Sequence, residues 1–267
     1  MNQSTKPLIY ANRVFYTATA FILLSILAFV LIDLLNFLST SDWFIQRLDI
    51  PYFWYHWFLI PVEIPLQWYM LGATLIFFLL IAGIASERKQ KEIFRFWLLT
   101  GIGIVLMFAE DAGDVRHALR HYVEKLSGET TYGFMGSTFE LLYFAGIAAI
   151  ITYALVVYRN VWLKHYATRK FFLIAYIMYG LSVLLSFTGA AYSSVTGFAL
   201  YELTGNYFMN LLFIHNEESR LVYEHAKTFA RIDFNLMDML VEESIEFVGA
   251  SALLAAGLGY WVEYRRK

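Results

Sequence analysis

Residues 108–121 read FAEDAGDVRHALRH. They close an apolar run that begins near Phe94. That run is too short to cross a bilayer alone, because a spanning helix needs roughly 20 residues. A helix of that length must continue through Glu110 and Asp111. Four ionisable side chains then follow as a stripe: Glu110, Asp114, His117 and His121. Successive offsets of four, three and four residues, at about 100° per residue, keep them on one helix face. Asp111 sits about 100° round from Glu110, off that face, and is expected to contribute little. Carboxylates near bilayer depth are expensive and mark functional sites by default. The organisation of the chain therefore turns on what faces this stripe.

Composition sets the class. The 267 residues are 59% hydrophobic and 16% charged, against about 45–50% and 25% for a soluble domain. Aromatics make up 19% of the chain, as suits a large interfacial area where amphipathic rings sit at headgroup level. The net charge of −2 offers no basic field, so no nucleic-acid partner is expected. Cysteine is absent, which excludes disulfides, thiolate metal sites, thiol catalysis and palmitoylation. The first apolar run, Phe15 to Leu38, is too long for a signal-peptide core and lacks a small-residue cleavage site, so it reads as a retained helix.

Working outward from the opening stretch, the sequence predicts an all-α integral membrane protein. Its six-helix transmembrane bundle forms a single domain over residues 1–267. The helices fall near Val14–Leu38, Gln67–Ala85, Phe94–His121, Ser137–Tyr158, Phe171–Ala191 and Leu236–Tyr260. Residues 39–66 hold three of the four prolines and many aromatics, and read as an outer interfacial link. Residues 194–235 form a long outer link, and the stretch 218–236 reads as a partly amphipathic helix. Neither an internal repeat nor a low-complexity segment is apparent. Thirteen of the 20 Lys and Arg lie on the side of the N-terminus, the 86–95 and 159–170 links and the C-terminal tail. That bias predicts both termini in the cytoplasm.

This topology carries the acidic residues to one leaflet. Helix 3 brings Glu110 to His121, helix 4 brings Glu140, and helix 1 brings Asp33 and Asn36. Helix 6 brings Asp238, Glu242, Glu243 and Glu246, because its apolar run from Phe247 is too short to span unaided. Such a cluster needs a counter-charge. The candidates are a metal ion, protons, His117 and His121, or Arg116, Arg120 and Arg231. Asp114-x-x-His117 has the carboxylate–histidine offset of bundle di-iron sites. His117-x-x-x-His121 has an offset that chelates one ion. The candidate metal ligands are Glu110, Asp114, His117, Glu140, Glu242, Glu243 and Glu246. Oxygen and imidazole without sulfur suit a divalent Zn, Fe or Mn ion, and an oxygen-only subset suits Ca or Mg.

Other readings stand beside this one. Arg116 and Arg120 also read as structural partners of Glu242 or Glu243. Glu140 also reads as a helix-start carboxylate, and His121 as a solvent residue. The face Gly249, Ala250, Ser251, Ala252, Ala255, Ala256 and Gly257 reads as a close-packing surface. No H-E-x-x-H, G-x-S-x-G or P-loop occurs, and no lysine lies in a predicted span.

The stretches Glu110–His117 and Glu242–Gly249 resemble a pattern in uncharacterised bacterial polytopic membrane proteins. The resemblance implies a multi-pass protein of a bacterial inner (plasma) membrane and carries no activity. The expected function is an outward-facing metal site, with a membrane-embedded hydrolase acting on a lipid-like substrate as its catalytic form. Two alternatives are a proton- or cation-coupled transporter and an assembly subunit that meets a protein partner through the outer links.

Overall fold

A computed structural model describes residues 6–28, 60–113, 115–128, 134–196, 200–213 and 236–265. The described chain is almost entirely helical. In order come α1 (Lys6–Ala28), α2 (Ile60–Glu87), α3 (Lys91–Gly113), α4 (Val115–Ser127), α5 (Phe134–Val157), α6 (Arg159–Trp162), α7 (Tyr166–Thr196) and α8 (Leu200–Phe213), then a π-helical segment (Leu236–Glu242) and α9 (Glu243–Tyr264). Six of these, α1, α2, α3, α5, α7 and α9, are long and apolar enough to cross a membrane. The count matches the six runs read from the sequence, with shifted bounds. The first span starts at Pro7, and the expected helix 3 is described as two helices on either side of Asp114. Asp33, Asn36, Asp114, most of the 39–66 link and all but Leu236 of the expected 218–236 helix lie outside the described residues.

Helix α9 is the axis of the bundle. It packs against α7, α1 and α2, and its own face supplies the reason. Gly249, Ala250, Ser251, Ala252, Ala255, Ala256, Gly257 and Gly259 are all buried. A Cβ at Gly249 would stand 2.8 Å from Tyr179 Cε2, and one at Gly257 would stand 3.0 Å from Phe78 Cε1. Small side chains let helix backbones approach where lipid offers no hydrophobic drive for association. At the end of the bundle holding the α2–α3 turn, the ring of Trp97 meets Phe78 edge-on and Tyr260 at a tilt, with centroids 4.6 and 4.7 Å apart. His165 Nδ1 lies 2.8 Å from Glu263 Oε2 there, and Lys170 Nζ donates to Asn12 Oδ1 at 3.1 Å.

The spans carry large apolar side chains on their outer faces as well as in the core. Large apolar side chains such as Leu24, Ile76, Leu142 and Val156 are more than half exposed on the spans. The short helix α4 follows the same rule. Leu119, Tyr122 and Leu126 point outward, while Arg120 and Glu124 are buried against α5. A Cβ at Gly136 would stand 2.6 Å from Glu124 Cγ and 2.9 Å from Arg120 Cγ, so only a glycine admits α4 so closely. Charges inward and hydrocarbon outward suit a helix lying against a bilayer.

Candidate functional site

The ends of five spans and three shorter elements meet at the opposite, acidic end of the bundle. The C-terminal turn of α3 brings Glu110 and Asp111, and the start of α5 brings Glu140. The π segment and the first turn of α9 bring Glu242, Glu243 and Glu246. Helix α4 adds Arg116, His117, Arg120 and Glu124, α2 adds Gln67, α7 adds Tyr179, Ser182 and Ser186, and α8 adds Tyr201. These groups divide into two neighbouring clusters.

The first cluster is built on arginine. Arg116 Nε lies 3.1 Å from Glu110 Oε1 and 3.9 Å from Glu140 Oε1. Its Nη1 donates to Ser186 Oγ at 3.1 Å. Arg120 Nη1 donates to Glu140 Oε1 at 2.8 Å, and its Nε lies 3.7 Å from Glu124 Oε1. His117 Nε2 lies 3.7 Å from Glu140 Oε1 and 3.3 Å from Arg116 Nη2. A guanidinium only donates, so that contact makes Nε2 the acceptor and engages the lone pair a metal would need. Burial works against the Arg116 charge, but Glu110, Glu140, Glu242 and Glu246 outweigh it and raise its pKa further. Glu110, His117 and Glu140 are thus gathered around guanidinium groups. His121 Nδ1 contacts Glu124 Oε2 at 3.3 Å.

Glu242 stands apart from both clusters. It is 6% exposed, and Tyr201 donates its hydroxyl to Glu242 Oε2. Burial, then the charges of Glu246 and Asp238, push its carboxyl well above the ordinary range against the Tyr201 hydrogen bond and Arg116. Burial and the Glu242 charge likewise raise the Tyr201 hydroxyl.

The second cluster is all oxygen. One carboxylate oxygen from each of Asp111, Glu243 and Glu246 lies within 4.8 Å of the others. Gln67 Nε2 bridges two of them, donating to Asp111 Oδ2 at 2.9 Å and to Glu246 Oε2 at 3.2 Å. Ser182 Oγ donates to Glu246 Oε1. Three carboxylates this close hold together with a compensating proton or cation. Gln67 is 1% exposed, and its Oε1 is buried with no hydrogen-bond partner among the described residues. A half-turn of that amide would present this oxygen to the carboxylates' side, and the two amide orientations are distinguished only by their partners. With a cation between the carboxylates, the carbonyl orientation becomes the favourable one.

Of the seven residues expected as ligands, Glu243 and Glu246 meet in the oxygen cluster. Glu110, His117 and Glu140 meet at the arginines, Glu242 meets Tyr201, and Asp114 lies outside the described residues. Asp111, set aside as off the stripe, is the third member of the oxygen cluster. The stripe argument assumed one continuous helix read on one face. α3 instead presents Asp111 toward Gln67 of α2 and Glu246 of α9, while Glu110 meets Arg116. The signal in the sequence was Gln67, an amide at the start of an apolar helix whose start belongs to the acidic end. No family model matches this chain, and neither a curated protein nor a solved structure was found to match it.

Proposed function

We propose that this chain is an integral membrane metalloprotein whose divalent cation is held by Asp111, Glu243 and Glu246. The observation that carries the reading is the meeting of these three carboxylates, within 4.8 Å of one another, beside the orphaned Oε1 of buried Gln67. Carboxylate and amide oxygens without imidazole or sulfur suit Mn, Mg or Ca. This narrows the expected Zn, Fe or Mn to Mn and takes up the Ca or Mg expected for an oxygen-only set. Three carboxylates and one amide leave coordination positions for water in a six-coordinate shell. The chemistry this supports is hydrolysis of a lipid-like substrate. Water adds through its oxygen to an ester or amide carbonyl carbon while a carboxylate of the cluster takes its proton. The bond to the head-group oxygen or nitrogen then breaks, its electron pair leaves on that atom, and the proton follows it.

Purified protein is expected to carry about one such ion per chain, or to take it up when Mn, Mg or Ca is added. Elemental analysis reading less than a tenth of an ion, unchanged by any of the three, would reject the proposal. Transport draws less support. Thr74 and Thr100 donate to carbonyls of their own helices at 2.7 and 2.9 Å, and Thr152 bonds Tyr176 at 2.8 Å. Each is engaged with its own helix or with a neighbouring one. The outer links that an assembly subunit would use lie largely outside the described residues.

The same reading puts the acidic end outside with both termini cytoplasmic, on the strength of the lysine and arginine bias, and takes a bacterial plasma membrane from the resemblance of Glu110–His117 and Glu242–Gly249. Reporter fusions after Lys89, Lys164 and Lys267 are expected to read as cytoplasmic, and those after Gly128 and Gly205 as external. A cytoplasmic reading at Gly128 would turn the site to the inner face.

A further inference from the structure

The oxygen cluster is the polar end of a long apolar slot of about 230 Å³. Gln67, Glu110, Asp111 and Glu246 line that end. The wall on α5 runs from Leu141 to Leu155, and the wall on α7 from Phe172 to Val183. At about 1.5 Å per residue these walls are roughly 21 and 16 Å long. The void is therefore elongated along the helices. It is larger than the apolar cavity of about 150 Å³ that stays dry and takes up benzene. Beyond the acidic end its walls are aliphatic and aromatic, including Ile147, Ile151, Phe172 and Leu253. Water would find few partners there.

The slot has a side entrance between α5 and α7, where the wall residues Ala145 and Gly180 are exposed. A Cβ built at Gly180 meets nothing within 4 Å. Both residues lie within candidate spans, so the opening faces hydrocarbon in a bilayer. Tyr176 and Thr152 hydrogen-bond across the same gap at 2.8 Å, farther from the acidic end, and tie the two helices there. The Tyr179 hydroxyl, in the wall of the slot, is buried and has no hydrogen-bond partner among the described residues. Its ring is held against Gly249, and Glu246 and Asp111 are within electrostatic reach. A buried O–H wants an acceptor, and next to carboxylates held by a cation the fitting acceptor is a neutral carbonyl of the ligand.

We infer that the slot binds one acyl chain of an ester or amide lipid, admitted between α5 and α7, with the Tyr179 hydroxyl donating to its carbonyl oxygen. The inference rests on the metal-hydrolase reading for what happens to that carbonyl. The seat of the chain rests on the slot alone. The chain is the part of the substrate that distinguishes a lipid from a soluble ester, and its burial sets the carbonyl beside the carboxylates.

The test uses the full chain in nanodiscs of phosphatidylcholine, one palmitoyl chain of which carries a mid-chain diazirine. Light should give adducts on Ile147, Ile151 and Phe172. Gly180→Trp should cut those adducts about tenfold by filling the entrance, while adducts on exposed Leu142 and Val156 stay. Ala145→Phe is the second plug should the first not fold. Tyr179→Phe should weaken slot adducts several-fold with the fold intact. Adducts confined to Leu142, Val156 and Ile177, or indifferent to both plugs, would overturn the inference. The same experiment in a chelator, and with Asp111→Asn, separates the two readings. Slot adducts that persist there while elemental analysis finds no metal would retain the lipid seat and reject the metalloprotein. Bound metal with no slot adducts would do the reverse.

Discussion

Arg120→Met is expected to destabilise the bundle by about 3–5 kcal/mol, the usual cost of removing one partner from a buried ion pair. Arg120 is 4% exposed and is the common partner of Glu140, at 2.8 Å, and Glu124, at 3.7 Å, both buried. Methionine keeps much of the volume and removes the charge, so the loss reads as electrostatics and hydrogen bonding more than as a cavity. Two buried carboxylates would be left facing each other across α4 and α5. Glu140→Gln in the Arg120→Met background should therefore recover part of the loss, because it removes one of the stranded charges. Unfolding of the single and double variants in detergent micelles measures the coupling. A cost for Arg120→Met below about 1 kcal/mol would mean that the network behaves as a solvated surface pair and does not hold α4 to the bundle.

This network also explains how far the sequence could be read. The six spans were legible because each is a long apolar run, and the length a bilayer demands leaves little freedom in placing them. The meeting of carboxylates at one end was legible for the same reason, since short apolar runs must draw Glu110, Asp111 and Glu246 into their spans. The packing face of α9 was legible from its run of Gly, Ala and Ser. The partners were not. Whether Glu110 or Asp111 faces α9 depends on the rotation of α3 about its own axis, which Gln67 and Arg116 settle from other helices. The stripe was drawn through Asp114 as one helix, although Gly113 followed by Asp114 carries the signal of a helix end and a fresh start. In α4, His117 lies beside Glu140 and Arg116 and is engaged there. The slot could not be read at all. It arises from small and large side chains on five different helices, and no local pattern encodes their sum.

Metal affinity should fall at least about tenfold in both Asp111→Asn and Glu246→Gln, since even a change beside the ligands costs that much. The equality of the two is the informative part. From helix geometry alone Asp111 is a bystander, whereas the structure joins it to Glu246 through the two hydrogen bonds of Gln67. Both substitutions keep the size of the side chain and remove one charge from the oxygen cluster. Glu110→Gln is the contrast, because its carboxylate faces Arg116 at 3.1 Å. It should leave metal binding within a few-fold and act on stability. Titration of the three variants with Mn, Mg and Ca, followed by melting with and without a chelator, gives affinity and stability together. With a cation, the wild type loses stability in the chelator and the two cluster variants lose less, having less bound metal to surrender. Without one, relief of repulsion makes Asp111→Asn and Glu246→Gln melt higher than wild type at neutral pH, and the chelator changes nothing. That second pattern would leave three carboxylates sharing protons beside Gln67, and the acidic end of the slot would then hold a lipid carbonyl by hydrogen bonds alone.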